Sequence, residues 1–176
     1  ASLSSMVANL TFGKKKGLPV LDQMGQIAQK SQALKDELLQ LIDADTDSFK
    51  TVLEAYKMPK NTDGQIIERN KAIDIAMKEA TNIPFQTLKC CREIMDLALE
   101  AAKCGNPNSV SDAGVAAEMA NAGVHGAALN VLINLKNIED EKFCVNMKTN
   151  TEELVQDADK LLMETRRTVS KIMNND

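Results

Sequence analysis

Apolar side chains recur at spacings of three and four residues along most of the chain, and this period most constrains the fold. Such spacings place side chains on one face of an α-helix, whereas a half-buried strand alternates with a period of two. The clearest stretch runs from about residue 22 to residue 57. Its apolar positions are Ile27, Leu34, Leu38, Leu41, Ile42, Phe49, Val52, Leu53 and Tyr56. The pattern predicts one long helix, or two with a joint, facing a core.

Turn-forming residues divide the chain into further helical segments, because proline and glycine commonly end helices. Pro59 and the run Gly105–Pro107 are strong stops, and we expect further breaks before Pro84 and at Gly123. The predicted helices cover residues 1–12, 22–57, 64–80, 82–103, about 110–121, 124–136 and about 150–173. No segment shows sustained strand alternation. The sequence therefore predicts an all-α fold of long antiparallel helices in a bundle.

Length and composition agree with this fold class. A chain of 176 residues suits a single domain, here 1–176, with one core. Aromatic residues make up only 3%, and nine methionines and many alanines and leucines supply the apolar content. Because strands draw on aromatic and β-branched side chains, this balance favours packed helices. The first residue, Ala1, already stands inside an apolar helical pattern, so we expect the natural chain to begin earlier.

Charge and cysteine spacing exclude several classes of protein. The 21 basic and 25 acidic side chains give a net charge of −4, so nucleic acid and anionic membranes are not expected partners. The four cysteines lack the spacing of a zinc site or a disulfide framework, and we expect free thiols, a cytoplasmic location and no metal. No apolar run has the length of a membrane helix.

Asp45 is a carboxylate on an apolar stripe. Steps of three and four link it to Leu41 and Phe49, whereas Asp43 and Asp47 fall toward the edges. An unpaired buried carboxylate costs several kcal/mol, so Asp45 must find a partner, become protonated or line a wet cleft. Two structural alternatives remain: it accepts hydrogen bonds from a neighbouring helix terminus, or the helix breaks near residue 44 and Asp45 caps its second part.

Asp112 follows the polar turn Gly105–Ser111 and falls in the first turn of its helix. A carboxylate there complements the helix dipole, so plain capping is one explanation. The helix behind it carries small residues at positions 113, 114, 116, 117 and 120. Small residues permit close helix packing or leave room for a ligand, and both explanations stay open.

Two amides, Asn130 and Asn134, lie one turn apart on an otherwise apolar helix. Both are expected to face polar partners, either in a buried hydrogen-bond ladder or in a ligand site. The single histidine, His125, has no nearby residue at the spacing of a catalytic triad or a zinc site. The run Lys14–Lys16 is a solvated turn or an anion site.

Four strings give the chain a family resemblance. They are Met6–Lys15 (MVANLTFGKK), Asp43–Phe49 continuing through Tyr56–Lys60 (YKMPK), Gly105–Asp112 (GNPNSVSD) and Gly126–Leu135 (GAALNVLINL). In order and spacing, from residue 1 to about 145, the chain resembles the cyclodeaminase/cyclohydrolase family. Members of that family occur as free-standing bacterial proteins and as the C-terminal domain of formiminotransferase-cyclodeaminase. In that family a Gly-rich segment precedes the position of Ala1.

The resemblance implies an all-α homodimer that acts on one-carbon derivatives of tetrahydrofolate without a further cofactor. It also implies a formiminotransferase domain or subunit as a partner in some members. In the cyclodeaminase reaction, N10 of 5-formiminotetrahydrofolate attacks the formimino carbon and ammonia leaves, giving 5,10-methenyltetrahydrofolate. A carboxylate in a partly dry pocket suits the proton transfers of this reaction.

The residues and the resemblance together predict the site. Asp112 and Asp45 are the expected catalytic residues, and the expected substrate-binding residues are Asn106, Asn130, Asn134, Lys14 and Lys15. The two lysines would hold the glutamate tail of the folate as point charges. Methenyltetrahydrofolate cyclohydrolase is the alternative activity, because both reactions pass through a tetrahedral carbon bonded to N5 and N10. A non-catalytic helical dimerisation module is the alternative of another class.

Overall fold

The computed structural model describes residues 1–12 and 18–174 and contains five α-helices there, with no strand in those ranges. They are α1 (Ser2–Thr11), α2 (Leu18–Lys57), α3 (Asp63–Cys104), α4 (Val110–Leu135) and α5 (Glu141–Met173). A 3₁₀ turn, Pro107–Ser109, precedes α4. The predicted all-α class is confirmed, with fewer and longer helices than the turn signals predicted.

Successive long helices run antiparallel, as contacts near their ends show. Near the start of α2, Gln23 Nε2 donates to Glu100 Oε2 near the end of α3, at 2.7 Å. At the opposite end, Arg69 of α3 donates to the carbonyl of Tyr56 in α2 at 3.1 Å. The pairing of α4 with α5 reverses direction in the same way, through Glu118–Arg166 and His125–Asp159. Short connections between helices favour this antiparallel arrangement.

The core lies mainly between α3 and the small-residue face of α4. Ala113, Ala116, Ala117 and Ala120 are all buried within the chain, against apolar side chains that include Leu88, Ile94 and Met95. Helix packing thus explains the small residues that sequence left open between packing and a cleft. Small side chains let two helix backbones approach closely, which buries apolar surface without large aromatic residues.

The predicted break before Pro84 is wrong, because α3 continues through it. Proline has no backbone N–H, so the carbonyl of Ala80, four residues earlier, loses its helical donor. Asn134 of α4 replaces that donor, since its Nδ2 lies 3.1 Å from the Ala80 oxygen. A side chain from the neighbouring helix therefore compensates for the proline and allows α3 to continue.

The predicted break at Gly123 is also wrong, because α4 runs unbroken from Val110 to Leu135. A Cβ atom at position 123 would lie 2.7 Å from the Sγ atom of Cys91 on α3. Glycine is therefore required here by the close approach of two helices, and it does not mark a helix end.

Two further helix boundaries differ from the prediction. Helix α2 is continuous through residue 44, so the proposed break with Asp45 as a cap is wrong. Helix α5 begins at Glu141, about nine residues before the predicted start. Its first turn is capped by Asp140, whose carboxylate accepts from the Phe143 N–H at 3.0 Å. No helix in the described part of the chain is long and apolar enough to cross a membrane.

Candidate functional site

A cleft of about 490 Å³ opens where the second half of α2 passes over α3 and α4. Small-molecule sites commonly have volumes of about 300–1,000 Å³. Its walls are mostly apolar, with a few polar groups. The lining residues are Leu38, Leu41, Ile42, Asp45 and Thr46 of α2, Ile83, Pro84 and Thr87 of α3, and Ala127 and Asn130 of α4.

Asp45 supplies the cleft with a carboxylate. The residue is exposed, and its side chain has no hydrogen-bond or ion-pair partner among the residues that the structure describes. By contrast, Asp47, two positions along the same helix, pairs with Lys50 at 2.7 Å. Of the possibilities that sequence left for Asp45, the structure supports the wet cleft. An unpaired carboxylate beside apolar walls is free to accept or release a proton from a bound molecule.

Asn130 faces the same cleft from α4, so the structure brings it together with Asp45. Asn134, one turn further along, is not a lining residue. Its amide nitrogen is bound to the Ala80 carbonyl, which explains why a polar side chain lies on this apolar helix. The two amides that looked equivalent in sequence therefore have different surroundings.

Asp112 and Asn106 lie at the other end of the bundle. Between positions 112 and 130 of α4 the helix rises about 27 Å at about 1.5 Å per residue. One chain therefore separates Asp112 from the cleft that holds Asp45 and Asn130. Asp112 is half-buried, and its carboxylate has no partner in residues 1–12 and 18–174.

Asn106 shapes the turn before α4. Its Oδ1 accepts from the Asn108 N–H at 3.2 Å, and its own N–H donates to the Thr11 hydroxyl at 3.0 Å. The turn is thus tied to the end of α1. Lys14 and Lys15 lie outside the described residues, so their predicted binding of a folate tail stays a prediction.

The cleft also contains residues that sequence analysis did not select. Pro84 and Thr87 line its α3 side, and Thr46 lies beside Asp45. The hydroxyls of Thr46 and Thr87 donate to the carbonyls four residues earlier, and their oxygens remain able to accept a further hydrogen bond. The spacing of 83, 84 and 87 on one helical face was the available signal, but the expected helix start at 82–84 obscured it.

Comparison with known proteins identifies the family. The model of the formiminotransferase-cyclodeaminase family matches residues 1–153, most of the chain. The chain belongs to the formiminotransferase-cyclodeaminase family. The resemblance carried by the four sequence strings is thereby confirmed.

Two relatives in this family represent its two activities. Methenyltetrahydrofolate cyclohydrolase of Methylorubrum extorquens is 41% identical over 174 residues, which cover 99% of this chain and 84% of that protein. Formimidoyltransferase-cyclodeaminase of Rattus norvegicus is 33% identical over 158 residues, which cover 90% of this chain and 29% of the rat protein. The chain thus spans less than a third of the bifunctional relative and most of the bacterial one.

A solved structure extends the family likeness to the fold. The crystal structure of formiminotetrahydrofolate cyclodeaminase from Thermotoga maritima matches with a TM-score of 0.86 and 29% identity. The match covers 98% of this chain and 82% of that one. All-α architecture and sequence therefore place the chain in the formiminotransferase-cyclodeaminase family independently.

Proposed function

We propose that this protein is a folate one-carbon enzyme and that its reaction is formiminotetrahydrofolate cyclodeamination. Substrate is 5-formiminotetrahydrofolate, and the products are 5,10-methenyltetrahydrofolate and ammonia. The observation that carries the proposal is the unpaired Asp45 carboxylate across a cleft from Asn130. Family membership and the likeness to the Thermotoga maritima cyclodeaminase support it.

Asp45 is proposed to move the protons of the reaction. N10 attacks the formimino carbon, and the N10 proton passes to the carboxylate as the N10–C bond forms. The protonated carboxyl then donates to the formimino nitrogen, whose bond to carbon breaks so that ammonia leaves. One carboxylate can serve as base and then as acid because the two steps follow each other at the same carbon.

The other lining residues have supporting roles in this proposal. Asn130 orients the substrate with its amide, and the apolar walls formed by Leu38, Leu41 and Pro84 exclude water from the flat pterin ring. We do not assign Asn134 to the substrate, since its amide nitrogen already binds Ala80. The steps are acid–base chemistry, and we propose that they use no cofactor.

The remaining predicted residues form a second group. Asp112 and Asn106 lie at the other end of α4, and the segment with Lys14 and Lys15 follows Thr11, whose hydroxyl contacts Asn106. We propose that the lysines hold the glutamate tail of the folate through charge. Asp112 is proposed as the second carboxylate of the site, although its own chain places it about 27 Å away along the helix.

A second activity, hydrolysis of the methenyl bridge, has a specific observation in its favour. The relative at 41% identity over nearly the whole chain carries the name methenyltetrahydrofolate cyclohydrolase. Water would add to the methenyl carbon, and Asp45 would accept the proton that the water loses. The same tetrahedral carbon between N5 and N10 is formed, so the same residues could serve either reaction.

Two substrates distinguish the activities. The methenyl product absorbs in the near ultraviolet, so cyclodeamination makes absorbance rise with 5-formiminotetrahydrofolate, together with release of ammonia. Cyclohydrolysis makes absorbance fall with 5,10-methenyltetrahydrofolate, faster than the buffer blank. A rise alone supports the first proposal and a fall alone the second. No change with either substrate would contradict both.

Asp45→Asn tests the role of the carboxylate. The amide keeps the size of the side chain and removes its proton transfer, so we expect kcat to fall by about 10²- to 10⁴-fold. Folate binding, measured by calorimetry, should persist. Asp47→Asn is the matched control, because Asp47 lies on the same helix and pairs with Lys50. Activity of Asp45→Asn within about threefold of the control would contradict the assignment.

A further inference from the structure

The face of α4 that points away from α3 carries a continuous apolar stripe. Val115, Met119, Leu129 and Ile133 are exposed by 49%, 68%, 68% and 52% of their side-chain surface. The small residues Ala122 and Gly126 lie between them, also exposed. The spacing of three and four residues is that of a helix face which packs against another helix. Nothing in the described chain covers this stripe.

The order of side chains along the stripe is symmetric about position 124. Reading outward in either direction gives a small residue, then a long apolar one, then a β-branched one: Ala122, Met119 and Val115 on one side, and Gly126, Leu129 and Ile133 on the other. A contact between two identical copies related by a two-fold axis requires such self-complementarity. Gly126 suits the crossing point, because a Cβ there would meet nothing within 4 Å.

Charge at the two ends of the stripe follows the same symmetry. Asp112 and Lys136 are the next positions outward at the same spacing, one acidic and one basic. Antiparallel pairing about position 124 brings each Asp112 opposite Lys136 of the other copy. Parallel pairing would instead set acid beside acid and base beside base, which is unfavourable. The charges therefore select the antiparallel orientation.

We propose that a second copy of this chain packs antiparallel on the exposed face of α4, with the two-fold axis at position 124. Met119 then contacts Leu129 of the other copy, and Val115 contacts Ile133. The occupant is a second copy because both the apolar order and the charges are complementary to themselves.

This dimer changes the composition of the site, an inference that rests on the proposed function. Within one chain Asp112 lies about 27 Å along α4 from Asn130. In the dimer, the Asp112 carboxylate of the other copy lies level with Lys136, about 9 Å along the helix from Asn130 at about 1.5 Å per residue. A folate reaching from the cleft along α4 would then meet Asp45 from one copy and Asp112 from the other. Each dimer would hold two such shared sites.

Cysteine cross-linking tests the orientation without any assay of activity. Met119→Cys and Leu129→Cys proteins are oxidised separately and mixed, with the unsubstituted protein as the control for its own thiols. Antiparallel packing predicts a covalent dimer in the mixture and none with either variant alone, since disulfides need Cα atoms within about 7 Å. Cross-linking of each variant to itself would show parallel packing. Either that result or no cross-link in the mixture overturns the proposal.

Mixed dimers test the shared site. Asp45→Asn and Asp112→Asn proteins are co-expressed with different tags, and each parent is inactive in the proposal. A mixed dimer retains one intact site, so random pairing should restore about a quarter of the wild-type rate. A mixture as inactive as its parents, with cross-linking positive, would overturn the shared site alone. If the wild-type protein converts no folate, the proposed function fails while cross-linking still decides the interface.

Discussion

Asn130 and Asn134 show how the surroundings of a residue decide what its side chain does. Both are amides on the same helix, one turn apart. Asn134 donates to a carbonyl that Pro84 has left without a helical donor, so its hydrogen bond stabilises the fold. Asn130 faces a cleft, where its amide can bind a ligand. A residue type and its spacing predict that a polar partner exists, but tertiary contacts determine which partner it is.

Removing the Asn134 donor should destabilise the protein. Asn134→Leu keeps a similar volume and leaves the Ala80 carbonyl without a donor, so we expect the free energy of unfolding to fall by about 1–3 kcal/mol. Urea denaturation measures this loss. Pro84→Ala restores a backbone N–H at position 84, and in that background Asn134→Leu should cost less than about 1 kcal/mol. Equal costs in both backgrounds would contradict the compensation.

At the scale of the helices, caps and close contacts determined the boundaries more than glycine and proline did. The sequence correctly predicted where α2 and α3 stop, near Pro59 and Gly105, because no neighbouring group compensates there. It placed false breaks at Pro84 and Gly123, since Asn134 and Cys91 lie on other helices and are distant in sequence. It began α5 too late because Asp140, the true cap, precedes residues of little apolar periodicity.

The Asp140 cap should make the start of α5 sensitive to acid. The N–H of Phe143 and the ammonium of Lys78 hold the pKa of the Asp140 carboxyl below its ordinary value of 3.8. The folded state thus favours the carboxylate, and its stabilisation is present above about pH 4 and lost as pH falls through the lowered pKa. Urea denaturation at pH 6 and pH 3 should show a smaller acid-induced loss of unfolding free energy in Asp140→Asn than in the wild type.

Asp140→Asn suits this test because an amide oxygen can still accept from the Phe143 N–H but does not titrate. Glu139→Gln is the control, as it removes the same charge one residue earlier without removing the cap. An acid response of Asp140→Asn equal to that of Glu139→Gln would show that the cap does not carry the effect.

At the scale of the whole molecule, sequence predicted the fold class and the family, and the structure corrected the geometry of the site. Helical period and composition were sufficient for an all-α bundle, because both act locally along the chain. The 27 Å rise between Asp112 and the cleft could not be predicted, since it depends on how α2 aligns with α4. The alanine face, expected to join two subunits, is instead buried within one chain, whereas the unpaired apolar face lies on the opposite side of α4.

The proposed dimer should therefore link stability to protein concentration. Association favours the folded state by mass action, so the Tm of the wild type should rise with concentration, and sedimentation should show a dimer. Met119→Asp places a charge at the centre of the α4 contact and should give a monomer whose Tm does not depend on concentration. Met163→Asp, at a methionine exposed by 54% on α5, is the matched control and should behave as the wild type. If both variants remain dimers, or if the wild type is monomeric at all concentrations, two copies do not associate through the exposed face of α4.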